Sequence, residues 1–201
     1  MTITAAMVKE LREATSAGIL DCRKALEATG GDFDKAVDYL REKGLAQAAK
    51  RMDREANEGL IHSYIHGGGR VGVLVEVNCE TDFVARTDEF QEFVNDVALQ
   101  IAAMSPLYIS RDDVPEEVAA HERELYRTQA LDEGKPEHIV DRIIEGRMEK
   151  YYQQVCLLEQ EFIRNDELTV EELLKEQIST TGENIVIRRF ARYELGESLG
   201  E

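Results

Sequence analysis

EVNCETDFVAR, the eleven residues from Glu76 to Arg86, decides the fold. Upstream, Val71, Val73, Val75, Val77 and Cys79 alternate with their neighbours, so a strand with one apolar face runs in. Downstream, Phe90, Phe93, Val94, Val97, Ile101 and Met104 recur at helical spacing. A helix therefore runs out from Thr87-Asp88 and closes at Pro106. Asp82-Phe83-Val84 sits at the junction, among the polar Asn78, Glu80, Thr81, Arg86 and Thr87. A phenylalanine at such a bend either tucks into the core, the commoner fate of that residue, or points outward as a probe for a partner.

Working outward, Gly59 to His66 also alternates, with Ile61, Ser63 and Ile65 on one face and His62, Tyr64 and His66 on the other. Gly67-Gly68-Gly69 joins this segment to the Val71 strand as a hairpin with one buried face. A final strand, Asn184 to Glu194 (NIVIRRFARYE), has no neighbour in sequence and is expected to pair with the hairpin. Pro115 opens a helix to about Leu131, and Gly134-Lys135-Pro136 turns into a partner helix carrying Ile139, Ile143 and Tyr151. This pair, about 115–152, reads as a projecting, charge-rich helical hairpin. A short helix around Val170 to Gln177 follows.

Residues 1–52 form a separate pattern of three short helices. Thr4 can cap the first, which carries Met7, Val8 and Leu11. The second follows Gly18, with Ile19, Cys22 and Leu26 facing inward, and ends at Gly30-Gly31. Asp32 can cap the third, with Phe33, Ala36, Val37 and Leu40 inward and Gly44 as its stop. So small a core reads as a compact recognition module. A linker, 53–58 within the charged run RMDREANE, leads to a core at 59–201. The fold class is α+β: a three-helix head, then a three-stranded antiparallel sheet with helices.

The net charge of -17 is unevenly spread. Met1 to Met52 holds nine basic against eight acidic residues, and the rest holds fifteen against thirty-three. A body this acidic repels phosphate backbones, which argues against direct nucleic-acid binding. No apolar run reaches the roughly 20 residues that cross a bilayer, and the N-terminus reads as neither secretory signal nor transit peptide. Cys22, Cys79 and Cys156 are an odd set, expected as reduced thiols in the cytoplasm. Cys79 or Cys156 near a two-fold axis could also crosslink two copies.

Catalytic chemistry finds little support. The glycine triplet lacks a following Lys-Ser or Lys-Thr and feeds a strand, unlike a phosphate loop. His62 and His66 lie about 13 Å apart on one strand face, too far to share a metal. No nucleophile, base or metal set converges, so neither cofactor nor bond-making activity is expected.

Two stretches are specific: TSAGILDCRKAL from Thr15 to Leu26, and SYIHGGGRVGVLVEVNCETDFVAR from Ser63 to Arg86. With EGKPEHIVDRIIEGRMEKYY and ENIVIRRFARYELGE, they make nearly the whole chain resemble the elongation factor Ts family, bacterial guanine-nucleotide exchange factors for the GTPase elongation factor Tu. Ser16 and Arg23 depart from the family's usual Gly and Lys. The resemblance implies a ubiquitin-associated-like head. It implies that Thr81, Asp82, Phe83 and Val84 enter the partner's GTPase domain and disturb its Mg²⁺ site. It implies a grip on a partner helix through Leu11, Ile19, Leu20, Arg23 or Lys24, and a second contact at His66. Long members carry two core units, whereas this chain has one that merges features of both. A homodimer is therefore expected. The alternative is a helix-binding dimeric adaptor without exchange activity.

Overall fold

The computed structural model describes residues 2–15 and 17–198; Ser16, one of the two departures noted above, lies outside them. Three helices come first: α1 (Ala5–Thr15), α2 (Ile19–Ala28) and α3 (Phe33–Ala49). The Thr4 hydroxyl accepts from the Met7 amide at 3.3 Å, and the Asp32 carboxylate accepts from the Lys35 amide at 3.2 Å. Both predicted caps thus satisfy first-turn donors that a helix leaves open. The core of this module is Val8, Leu11, Cys22, Ala25, Leu26, Ala36 and Leu40.

Two sequence expectations fail here. Ile19 does not face inward, since it is 58% exposed. Gly44 does not stop the third helix, which continues to Ala49. A glycine costs only about 1 kcal/mol in a helix interior, and here its bareness has a use. A Cβ at Gly44 would sit 2.8 Å from the Ser179 hydroxyl oxygen, so the glycine lets the third helix approach α8 (Val170–Thr181) closely. Arg41 on α3 reaches Glu172 at 3.4 Å and Glu176 at 3.5 Å on α8.

The sheet comprises β1 (Glu58–His66), β2 (Val71–Cys79) and β5 (Ile185–Glu194), in the order β1-β2-β5. The late strand pairs with the hairpin, as its isolation in sequence required, and the α+β class holds. The hairpin turn runs through Gly67, Gly68 and Gly69 at φ of 59°, 67° and 92°, a left-handed run that side chains disfavour. Val73, Val75 and Val77 fill the buried face of β2. The other face is open: Ile61 and Ile65 on β1 and Leu74 on β2 are all exposed, and Ile65 Cδ1 lies 3.4 Å from where a Gly72 Cβ would be.

Between β2 and the later strands come α4 (Asp82–Ala85), α5 (Asp88–Met104), α6 (Glu116–Asp132) and α7 (Glu137–Val155). The last two are an antiparallel pair around Ala119, Ala130, Val140, Ile144, Met148 and Tyr152. Arg111 binds Glu149 and Glu159 and lies 4.8 Å over the Tyr152 ring.

A two-stranded ribbon, β3 (Glu161–Phe162) with β4 (Asn165–Thr169), has no counterpart in the sequence reading. Its fixing point is a buried amide. The Gln100 Nε2 donates to Gln160 Oε1 at 3.2 Å and to the Glu161 carbonyl at 3.0 Å. Its Oε1 accepts from the Ile163 amide at 2.9 Å.

By compactness the chain forms two units. One gathers Met1–Gly59, Asn78–Phe90 and Glu172–Val186. The other gathers Leu60–Val77, Gln91–Glu171 and Ile187–Glu201. The first unit thus holds the head, the Phe83 junction and most of α8.

Replacing Gln100 with Met keeps the volume but leaves Gln160 Oε1, the Glu161 carbonyl and the Ile163 amide without this partner. Gln100→Met is expected to lower the unfolding free energy by about 3 kcal/mol, at about 1–3 kcal/mol per orphaned group. Urea denaturation measures it, and an unchanged midpoint contradicts it.

Candidate functional site

The junction is built residue by residue. At Thr81 the backbone is still extended, φ -131° and ψ 153°. Its hydroxyl oxygen accepts from the Val84 amide at 3.5 Å, which starts the single-turn helix α4. Thr87 then ends one helix and starts the next. Its hydroxyl donates to the Val84 carbonyl at 2.8 Å and accepts from the Phe90 amide at 3.2 Å. Between Thr81 and Thr87 the chain turns with one threonine hydroxyl binding free backbone groups at each bend.

Phe83 is 79% exposed on this turn. That decides between the two readings of the sequence: the ring is outside the core. Ala85, two residues on, is buried and holds the turn down. Thr81, Asp82 and Val84 are partly buried around it. Asp82 forms an ion pair with Arg86 at 2.7 Å, one turn on. An exposed pair of this kind contributes at most about 1 kcal/mol, so a partner can part it cheaply.

One segment far away in sequence, Glu183-Asn184, holds the junction. Glu183 accepts from both the Thr81 amide and the Thr81 hydroxyl. The Asn184 amide donates to Glu80 at 2.7 Å. Sequence reasoning missed these residues, and no local pattern could find them, because 102 positions separate Thr81 from Glu183. Behind the turn, burial pushes the Cys79 thiol up to about 11, with the Glu183 charge adding to the effect. Burial likewise pushes the Cys156 thiol up to about 11. Cys22, Cys79 and Cys156 are free and buried. Within the single chain, burial therefore keeps the Cys79 and Cys156 thiols covered and protonated at neutral pH.

On the head, Ile19 and Leu20 (72% exposed) lie at a groove of about 350 Å³ between α1 and α2. Val8 forms part of its wall, and Lys9, Arg12 and Arg23 line it too. Lys24 is exposed on the same helix. Leu11 is a correction: it is fully buried in the head core, so it shapes the module from behind and offers no contact surface. Lys9 and Arg12 were overlooked, although the spacing Ala5, Val8, Lys9, Arg12 sets them on one helix face. His66 is exposed at the end of β1. Its ring stacks on Tyr64 with centroids 5.9 Å apart, and the Tyr64 hydroxyl lies 3.1 Å from Nδ1. His66 belongs to the second unit, and the head and the Phe83 turn belong to the first.

Among the described residues, no group of three or more His, Cys, Asp or Glu could hold a metal ion. No helix among them is long and apolar enough to cross a membrane. What these residues do carry is apolar side chains held outward, Ile19 and Leu20 on the head and Phe83 on the turn.

Comparison with known proteins makes the class definite. A family model described as "Elongation factor TS" matches residues 3–197. The chain is 62% identical over 197 residues to the elongation factor Ts of Caldanaerobacter subterraneus subsp. tengcongensis, covering 98% of each chain. It is 63% identical over 197 residues to that of Thermoanaerobacter sp. strain X514, covering 98% of this chain and 97% of the relative. It is 60% identical over 199 residues to that of Carboxydothermus hydrogenoformans, covering 99% and 92%. The chain belongs to the elongation factor Ts family, and is thereby a translation elongation factor.

An exposed ring contributes little to folding. Phe83→Ala is expected to change the unfolding free energy by less than about 0.5 kcal/mol. Thermal unfolding checks this; the loss of about 3–5 kcal/mol typical of a core phenylalanine would contradict the exposed placement.

Proposed function

We propose that the chain binds the GDP form of elongation factor Tu and drives GDP release by disturbing its Mg²⁺ site. It makes or breaks no bond itself and works in the cytoplasm. The observation that carries this reading is the exposure of Phe83 on a turn held from below. Thr81 fixes the turn, Phe83 is the inserted group, and Val84 lies beside it. Asp82 exchanges Arg86 for groups around the partner's Mg²⁺ and competes for them. The 1–52 module acts as a ubiquitin-associated-like head. It grips a partner helix through Ile19, Leu20, Arg23 and Lys24, and His66 contacts a different domain of the partner.

Magnitudes divide the labour. A ten-thousandfold fall in nucleotide affinity needs about 5.5 kcal/mol of coupling. Burying one phenylalanine supplies about 2–3 kcal/mol at most. The remaining surfaces must therefore supply binding energy that Phe83 spends on distortion. Nucleotide must in turn weaken the factor by the same amount.

We further propose a homodimer. Its support is the open sheet face, where Ile61 (61% exposed), Ile65 (66%) and Leu74 (49%) form an apolar surface. A second copy of the same face can cover it by two-fold symmetry.

Two experiments follow. With fluorescent GDP on elongation factor Tu, Phe83→Ala is expected to lower the maximal release rate by about tenfold or more, while affinity for nucleotide-free partner falls much less. Equal losses in both would make Phe83 only an anchor, and binding without faster release would leave an adaptor. Leu74→Arg is expected to shift the mass in light scattering from dimer to monomer, because a charge cannot be covered on an apolar face without cost. A wild-type monomer, or an unshifted variant, contradicts the sheet-face dimer.

A further inference from the structure

We infer that Glu183 is a positioning residue that aims Phe83 through Thr81, a role that rests on the reading of Phe83 as the acting group. A helix of four residues cannot keep a direction by itself, because nucleation costs more than one turn returns. The direction of α4 must come from whatever holds its cap.

Glu183 supplies that hold. Its Oε2 accepts from the Thr81 amide at 3.0 Å and its Oε1 from the Thr81 hydroxyl at 2.6 Å. Both bonds are charge-assisted and therefore stronger than neutral ones. With the hydroxyl hydrogen donated to Glu183, a lone pair of that oxygen is left to accept from the Val84 amide. The Thr81 carbonyl accepts from the Cys79 thiol at 3.1 Å. Every polar atom of Thr81 is thus engaged.

The arrangement is reciprocal. Glu183 binds the backbone of Thr81, while Glu80 binds the backbone of Asn184. The Asn184 side chain donates to the carbonyls of Met52 at 3.1 Å and Arg54 at 2.6 Å. Arg54 returns to Glu80 at 3.4 Å. The segment behind the head, the start of the Phe83 turn and the approach to β5 are tied in one knot. Glu183 is the member of it that touches Thr81 directly.

The test uses the full chain, elongation factor Tu with fluorescent GDP, and amide hydrogen exchange. In Glu183→Ala, the Thr81 and Val84 amides are expected to exchange about tenfold faster while Val75 is unchanged. The maximal GDP-release rate is expected to fall about fivefold with the half-saturating concentration moved less than about twofold. Glu183→Gln, which keeps one acceptor, is expected to fall between; it carries the test if Val75 protection also drops in the alanine variant. In a Phe83→Ala background the release penalty of Glu183→Ala is expected to vanish. Unchanged Thr81 and Val84 protection, or the same penalty with and without Phe83, overturns the role. Full release activity in Phe83→Ala alone overturns instead the reading of the turn, and amide protection still decides whether Glu183 holds it.

Discussion

A one-turn helix points where its cap is held, and in this protein the cap is Thr81. Its amide and hydroxyl both end on one carboxylate, that of Glu183. Without that hold the turn from β2 into α5 would keep its buried Ala85 and its second threonine, but the ring of Phe83 would have no set direction. Glu80 and Asn184 complete the fixing, and Asn184 also grips the carbonyls of Met52 and Arg54. The presentation of one exposed aromatic thus depends on groups from three parts of the chain.

The same compact unit contains the head. Arg41 ties α3 to α8, and the bare Gly44 lets the two helices close on each other at Ser179. The groove beside Ile19 and Leu20 and the turn carrying Phe83 therefore share one compact unit. For a proposed exchange factor this matters energetically. Binding energy gathered at an apolar groove can be spent at a distant ring only if the protein between them resists deformation. The open sheet face and the helical hairpin lie in the other unit.

Much of this was legible in the sequence because it rests on local rules. Thr4 and Asp32 cap as their types and positions require, and the alternation of Val73, Val75 and Val77 names the buried face of β2. Pro115 and Pro136 mark the starts of α6 and α7, and Gly134 marks the turn between them. The misreadings share one cause: a partner distant in sequence. Gly44 looked like a stop because Ser179 could not be seen. The apolar pattern puts Ile19 inside and the resemblance makes Leu11 a contact, because in a small head only packing separates the two. The β3–β4 ribbon depends on Gln100, a polar residue buried in a helix, and polar residues are not expected inside. The position of Phe83 was resolvable only as two alternatives, since type and neighbours are the same in either case. Glu183 gave no signal at all.

The central claim is that Phe83 leaves water and enters the partner. A 4-fluorophenylalanine at position 83 reports this directly by ¹⁹F resonance as elongation factor Tu is added. The free protein should give a solvent-accessible line, and the complex a shifted, broadened one shielded from a soluble relaxation agent. A line that stays accessible in the saturated complex contradicts the account, because a ring still in water cannot disturb the partner's Mg²⁺ site.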